Sequence, residues 1–250
     1  MHFMDYSVLA RSYKTLSYEK ELREMYCTFH NNPNFIALSK HELTLLINDD
    51  IFQNYNGEQV LKYKIAKEFI NKQYVAAFEV KVKSSRTDFL VINGDTKSFE
   101  IKSKIDTLQR LAKQTADYGT VFEYNTVLID KSHLAKVIKA LPDFYGIWYY
   151  EGDEKIIFRE ASYSPNINSR EQLSLFNKKE LTTAFSTASI EMILSTHNAD
   201  AINCALKNML KKRYNDRWSF IQDNFEKIVP IDLQFFFNTN VDPHLIYNIN

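Results

Sequence analysis

Very little in this 250-residue sequence interrupts a chain: five glycines and five prolines leave no material for a loop-rich sandwich or a low-complexity segment. Cysteine is scarce too. Cys27 and Cys204 stand far apart with no CxxC neighbour, which excludes a zinc ribbon or a disulfide framework and fits a reducing cytoplasm. No apolar run approaches the roughly 20 residues of a membrane span, and MHFMDYSVLARSYK holds no continuous signal core; a soluble, cytoplasmic protein is expected. Charge of one sign is also missing, since 31 basic residues face 31 acidic ones, so no global field draws the chain to nucleic acid and local patches must supply any such binding. The absence of a GxxxxGK loop excludes a built-in P-loop motor. His2, His30, His41, His133, His197 and His244 are scattered without ligand spacing.

What is present reads as a globular α/β chain. YEKELREMYCTF spaces Leu22, Met25, Tyr26 and Phe29 helically, and Ser39 is placed to cap KHELTLLIN with Glu42 three residues on. The polar stretch DDIFQNYNG, residues 49–57, is turn-prone and suggests a boundary. From Glu58 a helix runs to about Asn71, followed by strands over Tyr74–Val82, Asp88–Ile92 and Ser98–Ser103. Asp106 can cap the next helix, which ends at Gly119. A strand at 126–129, a helix from Ser132 to Leu141 and a hairpin of 145–150 with 155–159 follow. SYSPNINSREQ is a polar linker, most of 178–228 is helical in period, and the aromatic end PIDLQFFFNTNVDPHLIY is expected to pack back onto the body. The organisation expected is therefore a helical extension at 1–54, an α/β core at 55–160 and a mainly helical extension at 161–250.

The stretch that calls for an explanation is SSRTDFLVINGDTKSFEIKSK, residues 84–104. Asp88, Glu100 and Lys102 are placed among apolar strand residues, where ionised groups cost several kcal/mol each unless paired or bound to metal. A two-residue Asn93-Gly94 loop would set Asp88 opposite Phe99 and turn it away from Glu100. An odd-length or bulged loop puts Asp88 on the face of Glu100 and Lys102. A site on this hairpin therefore requires the second kind of turn.

Two carboxylates on neighbouring strands repel until a divalent cation lies between them, and magnesium, with manganese as its substitute, suits an all-oxygen set. Residues 100 and 102 share a strand face, so Lys102 can hold an attacking water or a developing phosphorane charge while Glu100 holds the ion. The backbone carbonyl of Ile101 is a reasonable further ligand. These residue types suit metal-dependent phosphodiester cleavage.

Asp88, eleven intervening residues and then Glu100-Ile101-Lys102, preceded by Glu58 on a helix, resemble the PD-(D/E)xK nuclease superfamily. Thr87 stands where the family name has proline, at a position that varies in that superfamily. Gln114 and Tyr118, four apart on one helix face, resemble the QxxxY motif of its RecB-like and resolvase-like branches. The wording around them is also similar to a family of bacterial, nuclease-like proteins without an assigned function. The likeness covers about residues 57–130. It implies a restriction-endonuclease-like αβββαβ core, a mixed central sheet flanked by helices, and a magnesium-dependent deoxyribonuclease. In that scheme Asp88 and Glu100 hold the metal, Lys102 positions water, Glu58 assists metal or proton transfer, and Gln114 and Tyr118 orient the DNA. A role in defence, repair or mobile-element biology, and a homodimer or a protein partner, are consistent with it.

Other residues stay open at this point. Glu79 either joins the metal or forms a solvated ladder with Lys81 and Lys83. Arg86 either touches phosphate or flanks the strand. Lys207, Lys211, Lys212, Arg213 and Arg217, with Asp216 alone among them, make either a nucleic-acid contact or a solvated helix face. The rival to an enzyme is a non-catalytic DNA-binding or partner-docking subunit that keeps the fold without turnover.

Overall fold

The computed structural model describes residues 4–248, with the side chain of Ile36 left out; His2 lies outside them. Among the described residues twelve α-helices and six strands follow in chain order: α1 Tyr6–Ser12, α2 Glu19–His30, α3 Lys40–Asn54, α4 Glu58–Lys67, β1 Val75–Val82, β2 Ser85–Ile92, β3 Thr96–Lys102, α5 Leu111–Gly119, β4 Tyr124–Ile129, α6 Leu134–Ala140, β5 Gly146–Glu151, β6 Glu154–Arg159, α7 Ser169–Leu173, α8 Lys178–Phe185, α9 Ile190–Thr196, α10 Ala199–Asn224, α11 Leu233–Thr239 and α12 Pro243–Tyr247. The order α4-β1-β2-β3-α5-β4 is the αβββαβ succession expected. The chain forms two compact units, Met1–Ile70 with Phe220–Asn250, and Asn71–Ser219.

The first unit is helical. The Ser39 hydroxyl and Glu42 carboxylate form the expected capping box at the start of α3, and Leu22, Tyr26, Leu43, Ile47 and Ile51 are buried. The stretch at 49–57 is not all turn: α3 continues through Asp49 to Asn54, and residues 55–57 lie between α3 and α4. Tertiary contacts outweigh the turn composition there, because Ile51 is buried and the Asn48 side-chain oxygen accepts from the Ile231 N–H at 3.3 Å. The aromatic C-terminal segment packs into this unit as expected. Buried Asp232 accepts hydrogen bonds from Tyr13 at 2.8 Å, Thr15 at 2.5 Å and Tyr247 at 2.9 Å, and burial raises its carboxyl above the ordinary range.

The second unit carries one six-stranded mixed sheet in the order β1-β2-β3-β4-β5-β6. β1, β2 and β3 are antiparallel, β3, β4 and β5 run parallel, and β6 returns antiparallel to β5. The parallel steps need crossovers, which α5 and α6 supply. On one sheet face Leu111, Val127, Ile129, Val137, Leu141 and Tyr145 pack as a core cluster; on the other, Phe89 meets Phe78, Phe99 and Trp218. Burial of these side chains from water is the main drive for the layer arrangement. α10 is tied to the sheet by buried Glu123, which accepts from Lys207 at 3.0 Å, Asn203 at 2.6 Å and the Thr96 N–H at 2.7 Å.

Two local expectations change. β2 begins at Ser85, so Asp88 lies inside the strand rather than at its start; the Ser85 hydroxyl is anchored on Asp117 at 2.6 Å and Lys83 turns through φ 54 just before it. Asp106 does not cap α5, which starts at Leu111 without a side-chain cap. The Asp106 carboxylate turns back instead, accepting from the Ser103 N–H at 2.7 Å and hydroxyl at 2.6 Å, a closer pair of donors than a helix five residues away.

Candidate metal centre on the β2–β3 hairpin

The hairpin loop is of the odd kind. Ile92 pairs with Thr96, leaving Asn93-Gly94-Asp95 as a three-residue loop with Gly94 at φ 109, a conformation that glycine adopts without a Cβ clash. Phe89 pairs with Phe99. The same register carried one step on sets Asp88 opposite Glu100, so both side chains leave one sheet face.

Beyond Phe89 and Phe99 the β2–β3 ladder opens, and side chains replace main-chain partners. The Thr87 hydroxyl donates to the Phe99 carbonyl at 3.0 Å, and the Asp88 carboxylate accepts from the Ile101 N–H at 2.6 Å. In an antiparallel pair the N–H and C=O of one residue leave the same strand edge. The Ile101 carbonyl is therefore on the edge that Asp88 occupies.

Glu100 and Lys102 are both buried, at 2% and 5% exposure. One Glu100 oxygen accepts from Lys102 Nζ at 2.6 Å and Gln114 Nε2 at 2.5 Å, and the other from the Tyr118 hydroxyl at 2.8 Å. Burial raises the Glu100 carboxyl, with Lys102, Tyr118 and Gln114 offsetting part of that rise. Burial also pushes the Tyr118 phenol far up, helped by the charges of Glu100 and Asp88. Tyr118 stays a neutral donor. Its hydroxyl also reaches the Arg86 carbonyl at 2.7 Å, fixing α5 against both strands. Gln114 Oε1 is buried with no hydrogen-bond partner among the described residues.

Glu79 is one of the residues whose role the sequence leaves open. It lies opposite Asp88, between the pairs Phe78–Phe89 and Val80–Thr87, and it has φ 56, a left-handed conformation costing about 1–3 kcal/mol in a non-glycine residue. Carboxylate oxygens of Glu79 and Asp88 come within 4.8 Å of each other. Arg86, with its side chain largely exposed, reaches Glu79 at 3.9 Å; Lys83 is paired instead with Glu171 at 3.2 Å. No sequence signal marks the twist that brings Glu79 to Asp88, because glutamate in αL has no residue-type signature.

The donor set suits a hard divalent cation: carboxylates of Asp88 and Glu79 and the Ile101 carbonyl are oxygen ligands, and two carboxylates this close repel until a cation or proton intervenes. Glu100 already accepts from three donors, two on one oxygen and one on the other, which leaves about one of its four lone-pair sites for a cation. Of the other expected residues, Glu58 opens α4 in the first unit and pairs with Lys62 at 2.5 Å. Lys207 and Arg213 are taken by Glu123 and Glu180. Lys211, Lys212 and Arg217 lie elsewhere on α10, with Lys212 and Arg217 exposed.

The model of the family described as bacteriophage P4 protein cII matches residues 53–236. The chain belongs to that family. The P4 cII match takes in all six strands, the opened hairpin, Glu58, Gln114, Tyr118 and the basic segment of α10. Its description names no activity. No curated protein sequence matches. A solved structure of a protein of unknown function from Silicibacter pomeroyi is 19% identical, covers 56% of this chain and 93% of its own, and superposes with a TM-score of 0.37; so weak a likeness carries no argument. Among the described residues no helix is long and apolar enough to cross a membrane.

Proposed function

We propose that this P4 cII-family chain is a cytoplasmic, magnesium-dependent nuclease that hydrolyses DNA phosphodiester bonds, in line with the PD-(D/E)xK resemblance. The observation that carries the reading is the opened β2–β3 ladder, where Asp88, Glu100 and Lys102 meet Gln114 and Tyr118 on one face. Asp88, with Glu79 and the Ile101 carbonyl, would hold the cation. Bound there, it would lower the pKa of a coordinated water and neutralise charge on a phosphate. Lys102 is positioned by Glu100 and can orient water or stabilise added charge on phosphorus. Tyr118 and Gln114 fix the Glu100 carboxylate, and the unpartnered Gln114 oxygen offers an acceptor to a substrate N–H or water. Glu58 keeps the metal- or proton-assisting role that the resemblance implies.

A second reading has its own support: Glu100 and Lys102 satisfy each other in a closed, buried pair, as expected of a DNA-binding or partner-docking subunit without turnover. Labelled linear, circular and branched DNA incubated with the purified protein, with magnesium, manganese or a chelator, separates the two. Metal-dependent products that vanish in Lys102→Ala support the nuclease. Uncut DNA together with no calorimetric magnesium or manganese binding overturns it.

A further inference from the structure

Helices α8 and α10 leave between them a cleft of about 590 Å3, within the range of ligand-binding clefts. Ala205, Asn208, Met209 and Lys212 line its α10 wall at i, i+3, i+4 and i+7 and so form one stripe. Ala184 stands on the α8 wall and Lys179 at its rim. Met209 is buried in the floor, whereas Lys179 and Lys212 are exposed; neither lysine side chain has a hydrogen bond or ion pair among the described residues. Arg213, at the end of the cleft, is already held by Glu180 at 2.5 Å. The cleft is thus an apolar trough with an unneutralised basic rim, and none of its residues serves the hairpin.

A nucleic-acid backbone would use the two lysines but leave the alanine and methionine floor unmatched, since phosphate contacts are polar and charged. A helix with an apolar stripe and acidic flanks matches both, by the helix-in-groove mode with complementary rim charge. We infer that this cleft docks an acidic amphipathic helix of a partner protein.

The test is selection of 16-residue peptides from a random display library on the immobilised full chain, with the winning peptide labelled and titrated by fluorescence anisotropy. Winners should carry apolar residues at i, i+3 or i+4, and i+7, flanked by Asp or Glu. Joint Lys179→Glu and Lys212→Glu changes should weaken them by about tenfold or more, and Ala205→Arg should do the same by filling the floor. The exposed lysine variant alone decides if Ala205→Arg does not fold. The inference is overturned by an empty selection, by winners without the acidic amphipathic pattern, by equal binding to the lysine variant, or by displacement of the peptide by duplex DNA. Cleavage of DNA has no part in these readouts, so failure here and failure of the nuclease reading remain distinguishable.

Discussion

The Asp88 carboxylate sits 2.6 Å from the Ile101 N–H and takes the place that a β2 carbonyl would hold in a continuous ladder. One side chain thus completes a strand and carries charge into its gap. The two roles separate under substitution. Asp88→Asn keeps an acceptor for Ile101 and should hold the parent's urea midpoint while losing magnesium binding and cleavage. Asp88→Ala leaves the N–H unsatisfied and should cost about 1–3 kcal/mol as well. Equal stability of the two variants would show that this bond does not hold the opened edge.

Glu100 and Lys102 give a second prediction, since the pair is buried at 2.6 Å. Lys102→Met strands a buried carboxylate and should cost about 3–5 kcal/mol, whereas Lys102→Met with Glu100→Gln should recover much of that loss. A double-mutant cycle on urea midpoints reads the coupling. Additive single and double effects would place the two side chains in separate networks.

Much of this site was legible because charge in an apolar strand is a strong signal. Asp88, Glu100 and Lys102 stood out on that ground alone, and the demand that they share a face required an odd loop, which Asn93-Gly94-Asp95 supplies. Helical spacing put Gln114 and Tyr118 on one face, and their place at the site was implied by the QxxxY resemblance. Other features depend on tertiary contacts that local pattern does not encode. Asp49–Asn54 looks like a turn by composition but continues α3, because buried Ile51 and bonded Asn48 hold it. Asp106 looks like a cap but serves Ser103. Glu79 reaches Asp88 through a backbone twist, and Lys207 turns from solvent to a buried carboxylate three strands away in sequence; neither has a periodic signature.

Opposite pKa shifts predict opposite pH slopes. Burial raises the folded value of Glu100 above about 4.3, so its contribution to stability is complete below that pH and is lost as pH rises through the folded value. The parent should therefore lose ground to Glu100→Gln as pH increases. At Asp117 burial works against the charge, but the Ser85 hydroxyl and Lys113 ammonium outweigh it and lower the carboxyl. Its contribution is present above about 3.9 and disappears as pH falls through the folded value, so the parent should lose ground to Asp117→Asn on acidification. Denaturant midpoints between pH 3 and 8 measure both, and parallel slopes for the two variants would contradict the assignment.

The basic segment of α10 divides into residues that hold the fold and residues available to bind. Lys207 meets Glu123, a carboxylate only 5% exposed, and Arg213 meets Glu180 and the Leu175 carbonyl. Removing either cation leaves a buried or half-buried carboxylate short of a donor, so Lys207→Ala should lower the melting temperature, and more than Arg213→Ala does, because Glu123 is the more buried partner. Lys211 carries no such duty toward a buried acid among the described residues. If α10 touches DNA, Lys211→Ala should leave stability nearly unchanged and flatten the dependence of log K on log salt by about 0.9 for the lost contact. Lys207→Ala should leave that slope as it is. Titrations of a labelled duplex across a salt series measure the slope for each variant, and a flattened slope in Lys207→Ala alone would move the DNA contact to the fold-holding end of the segment.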